Sequence, residues 1–449
     1  MVRSMRLLNV TVHDRGILRE LGQQIAEISA LPEQHETRAK WVALNALRPL
    51  RPMVSVDQLP WHELAEGEPE MAIWSETPLG RAFELQFRRT LYAWNHMRAD
   101  MVVEDEVLVP KVIRAEGGFG IGMKQETASI DSRNEIVAHR YIDQLEAEEA
   151  AELIRRPTIT YDAESTSRIE ETAHHIFDGV LPVRLQGWVP GLAQWPGFDA
   201  QPELRDLANL WPDDTLLAGF NAWDVIVEWR SAEAILLDLA DRPEHIHRIM
   251  SRFTDAYLGA LDDMEARGLL GFGQGSIHCS PAWTDELPHP GFDPARPRAE
   301  DLWTMGMAQI LTSVSPVMFE EFEVRYAKRW YERFGLGYYG CCDVLDGRVD
   351  LVRTIPNVRK ISMSPWANGE RGAESIGRDF VFSSKPNPVY LALDAWQPER
   401  VEQDLRATID ACRRYGTPLE LLLKDVSTIR YQPRRLWEWV DVAMRLVRE

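Results

Sequence analysis

The chain has 449 residues, a length that suggests one large domain and a smaller one. Its composition, 45% hydrophobic and 27% charged, is typical of a globular protein. Its formal net charge of −20 argues against nucleic acid or an anionic membrane surface as the main partner. No apolar run is long enough to span a bilayer, and the amino terminus lacks the apolar core of a signal peptide. Four cysteines, two of them adjacent, do not form a disulfide framework, so we expect a cytoplasmic protein.

Residues 1–150 are predicted to form a mostly helical extension. Met101–Ile113 is predicted to be one strand pair, or one strand with a break at Pro110. Glu116–Met123 is rich in glycine but lacks the spacing of a phosphate-binding loop, which favours a flexible loop. Apolar residues recur at helical spacing in three segments of this extension: Gly22–Leu31, Thr37–Leu47 and Arg81–Met97.

From residue 151 to residue 449, short β-like runs alternate with helical patterns. The length of this part matches a (β/α)8 (TIM) barrel, so the predicted fold class is α/β. Gly187–Asp214 is predicted to be an insertion or lid, and Pro281–Pro297 a long loop. The predicted strands are Thr158–Tyr161, Leu181–Gln186, Leu269–Phe272, Leu336–Gly340, Val358–Met363, Phe380–Ser383 and Leu419–Leu423. The predicted helices include Ala234–Leu261 and two more, with apolar faces at Val401–Cys412 and Leu436–Val447.

Reactive side chains follow two of these predicted strands. Cys341, Cys342 and Asp343 come at the end of one, and Lys424 and Asp425 come directly after another. In βα architectures the loops at the carboxyl ends of the strands carry the chemistry. Asp425 is therefore a candidate acid, base or ligand, and a salt bridge or a helix cap is its structural alternative.

Other candidates lie near predicted strand ends. Lys385 and Asn387 stand in a proline-rich loop, where the lysine pairs with a substrate anion or is a solvated turn residue. Tyr339 and Trp366 offer an aromatic wall for a planar substrate, although such residues are more often core. His278 precedes Cys279 at the end of a β-like run, and it is either a ligand or a hydrogen-bonded core residue.

Adjacent side chains on a strand point to opposite faces, which restricts the use of Cys341 and Cys342 together. Both thiols reach one metal ion only if the strand has already ended before them. Zinc or another divalent ion bound by His278 and these cysteines is one reading. The alternative is that the cysteines are small buried residues that fill the core. This structural role is the favoured interpretation for Cys279 and Cys412.

Two segments resemble the uroporphyrinogen decarboxylase superfamily. Glu228–Met250 is similar to its Glu-Leu-Leu-Asp-Leu run and the histidine-bearing helix that follows. Ser313–Phe334 is similar to the helix that leads into its cysteine-bearing strand. The resemblance covers roughly residues 150–449, and it implies a (β/α)8 barrel there. Residues 1–60 lack the arginine- and glycine-containing motif of the true decarboxylases.

The resemblance is closer to the corrinoid-dependent methyltransferase branch, which holds zinc with a His-x-Cys pair and a later cysteine. Cys341 falls on the first cysteine position, Tyr339 stands at the histidine position, and the later strand ends in Lys424 and Asp425. The resemblance implies methyl transfer between a small methylated substrate or thiol and a corrinoid carried by a partner protein. A decarboxylase or other lyase, and a non-catalytic corrinoid- or tetrapyrrole-binding protein, are the alternatives.

These interpretations assign a role to each candidate. No nucleic acid or membrane partner is expected, and a homodimer is compatible with the Trp-rich insertion. The predicted zinc ligands are His278, Cys341 and Cys342; the predicted catalytic residues are Asp343, Lys385 and Asp425; the predicted substrate-binding residues are Tyr339, Trp366, Asn387 and Lys424.

Overall fold

The structure is a computed structural model that describes residues 8–128, 138–191, 207 and 219–449. These residues form a mixed α/β fold. Its strands are β1 (Met53–Val56), β2 (Val107–Pro110), β3 (Ile113–Glu116), β4 (Gln125–Ala128), β5 (Ala138–Tyr141), β6 (Thr158–Tyr161), β7 (Val183–Gln186), β8 (Trp303–Gly306), β9 (Leu336–Tyr339), β10 (Val358–Met363), β11 (Val381–Ser384) and β12 (Leu419–Leu423).

Helices lie before β1, between β1 and β8, in the connections of the later strands of the central sheet, and after β12. They are α1 (Val12–Ser29), α2 (Pro32–Asn45), α3 (Trp61–Leu64), α4 (Pro78–His96), α5 (Ala163–Phe177), α6 (Ala222–Arg230), α7 (Ala232–Asp241), α8 (Pro243–Ala266), α9 (Pro316–Phe319), α10 (Arg325–Tyr331), α11 (Val349–Val352), α12 (Gly369–Ile376), α13 (Val389–Ala392), α14 (Pro398–Tyr415) and α15 (Arg434–Leu446). A π-helical turn, Glu320–Val324, joins α9 to α10.

Six parallel strands form the central sheet, in the order β1-β12-β11-β10-β9-β8. From β8 to β12 each strand pairs with the next one along the chain, because helical connections return the chain to the same edge. The side chains of β8, β9, β11 and β12 are buried throughout, as expected for a parallel sheet covered on both faces. The carboxyl ends of all six strands therefore lie at one edge of the sheet.

The parallel α/β architecture is confirmed, whereas the closed (β/α)8 barrel stays a prediction. A second parallel pair joins β2 to β7, and single bridges join Trp188 to Leu270 and Phe220 to Gly306. Across the described ranges these pairings do not close into one ring. The predicted strand at Leu269–Phe272 is wrong, because only Leu270 makes a bridge.

The helix predicted over Ala234–Leu261 is in fact two helices. Arg242 leaves the helical conformation, and Pro243 begins α8, because proline lacks the N–H that a continuing helix requires. The helices predicted in the amino-terminal extension and near the carboxyl end are confirmed, and most of their ends lie within a few residues of the predicted ones. The helix predicted at Gly22–Leu31 begins earlier, at Val12. The loop predicted at Pro281–Pro297 is confirmed, since it contains no helix or strand.

The amino-terminal part contributes to the central sheet through β1, which pairs with β12 at the sheet edge. Phe83 and Phe87 of α4 pack edge-to-face against Phe177 of α5, in a second apolar core.

The domain boundary near residue 150 stays a prediction. Most of the predicted lid at Gly187–Asp214 lies outside the described residues. Within the described ranges, no helix is long and apolar enough to cross a membrane.

Candidate active site

Reactive side chains collect at the carboxyl edge of the central sheet. Two strands end there with residues in left-handed backbone conformation: Gly340 has φ 93° and Asp425 has φ 57°. The φ of 93° at residue 340 strains any residue with a Cβ atom, and that atom would also lie 2.6 Å from Leu345 Cδ1, so glycine is favoured here. A left-handed backbone conformation costs free energy in any residue other than glycine, and such residues concentrate at functional sites.

The two adjacent cysteines share one side of this edge because β9 has already ended at Tyr339. Cys341 is buried and Cys342 is exposed, and their Sγ atoms are 3.8 Å apart. Cys342 Sγ is 3.6 Å from Asp425 Oδ2. The ligand atoms of Cys341, Cys342 and Asp425 all lie within 4.8 Å of one another. The structure thus brings two predicted zinc ligands together with a carboxylate that was predicted as catalytic.

The spacing of these atoms fits a tetrahedral zinc ion. Two sulfurs on tetrahedral zinc lie ~3.8 Å apart, and a sulfur and a carboxylate oxygen lie ~3.6 Å apart, given Zn–S of ~2.3 Å and Zn–O of ~2.1 Å. The Cys341–Cys342 and Cys342–Asp425 distances match these values. Two thiolates and a carboxylate would hold the ion and leave a fourth position open, as catalytic zinc sites require.

Lys424 supplies positive charge to the buried thiol. Its Nζ donates to Cys341 Sγ at 3.1 Å and lies 3.6 Å from Asp425 Oδ2. The pKa of Cys341 is lowered by the hydrogen bond with Cys342, and further by His278 and Lys424. Burial opposes the charge on Lys424, but the charges of Cys341 and Asp425 outweigh it and raise the pKa of the lysine. Cys341 is therefore the thiolate of this group.

His278 lies beside this group, and its side chain hydrogen-bonds to Cys341. Its Nε2 is 3.4 Å from Lys424 Nζ, and its ring packs edge-on against Tyr338. Burial lowers the pKa of the imidazole, which is therefore neutral at neutral pH. Its role as a metal ligand stays a prediction.

Lys385 and Tyr338 lie deeper in the same edge. Lys385 Nζ donates to Tyr338 Oη and, at 3.1 Å, to Ser383 Oγ. Burial, and then the charge of Lys424, lower the pKa of Lys385 to about 8. The predicted solvated turn is wrong for this lysine, since its side chain is only 5% exposed.

Asp343 fixes the turn that carries the cysteines. Its two carboxylate oxygens accept hydrogen bonds from the backbone N–H groups of Cys341, at 2.8 Å, and Ala308, at 3.0 Å. The turn after β9 is thereby tied to the turn after β8. These bonds position Cys341, while the predicted catalytic role of Asp343 stays a prediction.

Three predicted substrate-binding residues lie apart from the cysteines. Tyr339 is fully buried, and its hydroxyl donates to Glu323 of the π-helical turn at 3.0 Å. Asn387 accepts a hydrogen bond from the backbone N–H of Val389 at the start of α13. Trp366 is 72% exposed in the turn after β10. Of the predicted substrate-binding set, only Lys424 contacts the cysteine group directly.

Sequence reasoning missed Asp57, which lies beside Cys279. Asp57 directly follows β1, and its carboxylate hydrogen-bonds to the Cys279 thiol. Burial, and then the charge of Asp57, raise the pKa of Cys279. His278 and Cys279 have φ of 45° and 69°, so the alternation of a strand does not apply to them. The apolar run Met53–Val56 before an acid was the signal for Asp57.

Asp224 of α6 is a further missed acid, and no sequence signal marked it. Gln309 donates to its Oδ2 at 3.3 Å. Burial, and then the charges of Asp343 and Cys341, raise the pKa of Asp224 from 3.8 to about 7. The folded state therefore holds a proton on this carboxyl group that the unfolded state releases.

This raised pKa predicts a specific pH dependence of stability. Between the unfolded pKa of 3.8 and the folded pKa of about 7, the folded state binds the extra proton, so stability falls as pH rises through this window. Replacing Asp224 by Asn should flatten that part of the curve, whereas Asn at the exposed Asp241 should not. Urea midpoints across the window test this, and an unchanged slope in Asp224→Asn contradicts it.

Comparisons with known proteins identify no family for this chain. No protein-family model matches it, and no curated protein matches it. Among solved structures it is similar to a methyltransferase from Methanosarcina mazei, with 9% sequence identity and a TM-score of 0.47. The similarity covers 91% of this chain and 98% of that chain.

Proposed function

We propose that the chain is a zinc-dependent methyltransferase that moves a methyl group between a small methylated substrate or thiol and a corrinoid protein. The observation that carries the proposal is the group of ligand atoms from Cys341, Cys342 and Asp425 at the carboxyl edge of the parallel sheet. Two of its distances fit tetrahedral zinc, and thiolate ligands favour this metal.

Zinc, when bound there, supplies a Lewis acid that stabilises negative charge on the sulfur or other heteroatom that gives or accepts the methyl group. The charges of the site support this use. With zinc bound, Cys342 would also lose its proton, so two thiolates and Asp425 would bring three negative charges, and the Lys424 ammonium would offset one of them. An ion of charge +2 would balance the rest.

The chain's own residues orient the reacting groups. Asp343 fixes the backbone of the cysteine turn, and Lys424 holds Cys341 Sγ by a charge-assisted hydrogen bond. An acceptor thiol must lose its proton before its sulfur forms the new bond to carbon, and the neutral imidazole of His278 can take that proton. The corrinoid partner follows from the sequence resemblance, and the exposed Trp366 is available to it.

Free methylcobalamin can replace the corrinoid protein in a test of this proposal. Zinc-loaded chain should accelerate methyl transfer from methylcobalamin to a small thiol such as mercaptopropanol. The visible spectrum of the corrinoid and mass analysis of the thioether would record the reaction. Cys412→Ser, a change on α14 away from the site, should retain the activity. A rate no higher than that of the reagents alone, with zinc bound, contradicts the proposal.

A decarboxylase is the second candidate, and the buried cation Lys385 favours it, because such enzymes need positive side chains facing substrate carboxylates. Carbon dioxide release from a carboxylic acid by metal-free chain, with no corrinoid present, would support this reading. Loss of that activity in the Lys385→Met variant would show that decarboxylation depends on the Lys385 ammonium.

A further inference from the structure

Among the described residues, three lysines are buried at the central sheet, and Lys385 is the one without an acidic partner: Lys424 Nζ lies 3.6 Å from Asp425 Oδ2. Lys360 of β10 is fully buried, and its Nζ is 2.8 Å from Glu420 Oε2 of β12. Lys385, directly after β11, is 5% exposed and donates only to two hydroxyl groups, Tyr338 Oη and Ser383 Oγ. In the described part of the chain, no carboxylate oxygen lies within 4.0 Å of its Nζ.

A buried ammonium without a counter-ion is unfavourable, because the low dielectric of the interior does not replace its hydration. The ammonium has three N–H donors, and the two hydroxyl groups use two of them. One donor is left for a ligand. Lys424 adds a second positive charge nearby, and the repulsion contributes to the lowered pKa of Lys385. A negatively charged ligand group at this place would relieve both costs.

We infer that Lys385, together with Tyr338 and Ser383, forms a subsite that binds a carboxylate of the substrate. The inference rests on the proposed function and deepens it: the methylated compound or acceptor thiol is a small carboxylic acid. The single charge of the ammonium matches that of a carboxylate. The remaining N–H of the ammonium, and the one hydroxyl proton that the Tyr338–Ser383 bond leaves, match the two carboxylate oxygens. A phosphate monoester carries a larger charge and calls for more donors.

The subsite explains why a lysine stands here and not an arginine. The ammonium is a compact charge whose donors can serve two hydroxyl groups and one ligand oxygen in different directions, whereas a guanidinium is planar and larger. Tyr338 and Ser383 also bond to each other at 2.9 Å, which holds both hydroxyl groups in place around Nζ. The subsite is therefore preformed before a ligand arrives.

A matched pair of thiols tests the inference. Mercaptopropionate and mercaptopropanol have the same chain length and differ in the carboxylate. Their dissociation constants on zinc-loaded chain would be measured by titration calorimetry for the wild type, Lys385→Met and the control Lys124→Met, which changes an exposed lysine. The wild type and the control should prefer the acid by roughly tenfold to a hundredfold, the usual range for one hydrogen bond to a charged group.

Lys385→Met should bind both thiols equally, with the affinity for the alcohol unchanged. Ser383→Ala, which keeps the charge, should lose only part of the preference, and it serves as the second variant if Lys385→Met does not fold. A preference for the acid that survives in Lys385→Met overturns the inference. Equal binding of both thiols by the wild type also overturns it, but leaves the proposed function intact. Failure of both thiols to bind the zinc-loaded chain counts against the proposed function.

Discussion

Replacing Cys341 by serine should remove the metal from the protein. A serine hydroxyl does not ionise at neutral pH and is a poor zinc ligand, so the remaining set would be one thiol and Asp425. We expect zinc affinity to fall by at least ~100-fold, because even changes to groups that only orient a ligand cost ~10–100-fold. Elemental analysis of the purified protein, and competition with a chromophoric chelator, measure this directly.

Two further variants make the result specific. Cys342→Ser should lose zinc to a similar degree, because its sulfur lies at tetrahedral spacing from both other ligand atoms. Cys412→Ser should keep about one zinc per chain, since this cysteine lies on α14 and makes no contact with the site. Full zinc content in Cys341→Ser, or none in the wild type, would rule out the proposed centre. The alternative would then be metal-free acid–base chemistry by Lys385, Lys424 and Asp425.

Replacing Glu420 by leucine should strongly destabilise the fold. Glu420 is fully buried and accepts hydrogen bonds from Lys360 Nζ, at 2.8 Å, and from Ser280 Oγ, at 2.9 Å to each carboxylate oxygen. Removing it leaves an ammonium inside the sheet without a charge partner. Breaking a buried ion pair in this way costs about 3–5 kcal/mol of unfolding free energy. Urea unfolding of the wild type and the variant measures the difference.

The double variant Lys360→Met with Glu420→Leu separates charge from packing. Apolar residues of similar volume often replace a buried pair at little cost, so most of the lost stability should return. Lys360 Nζ also donates to the carbonyl of Pro281, which the double variant leaves without that donor. A double variant less stable than Glu420→Leu alone would show that this network stabilises the fold by more than charge pairing.

The sequence allowed the cysteine pair and the Lys424–Asp425 pair to be placed at strand ends, because apolar runs end visibly before them. It did not allow their distance to be predicted, since this depends on the left-handed turns at Gly340 and Asp425. The contact between Lys424 and Cys341 joins segments far apart in the chain, and periodicity carries no information on such contacts. Trp303–Gly306 was missed because four buried residues without alternation resemble any short apolar run.

The pairing of β1 with β12 has a consequence for synthesis of the protein. Met53–Val56 leave the ribosome long before their hydrogen-bonding partners in β12 are synthesised. Glu63 depends on the same late segment, because its carboxylate accepts hydrogen bonds from the backbone N–H groups of Ile429 and Tyr431. Contacts of such sequence separation form slowly and leave a strand edge open meanwhile. The nascent chain must therefore keep an unpaired edge from aggregating until β12 and the segment that bonds to Glu63 are made.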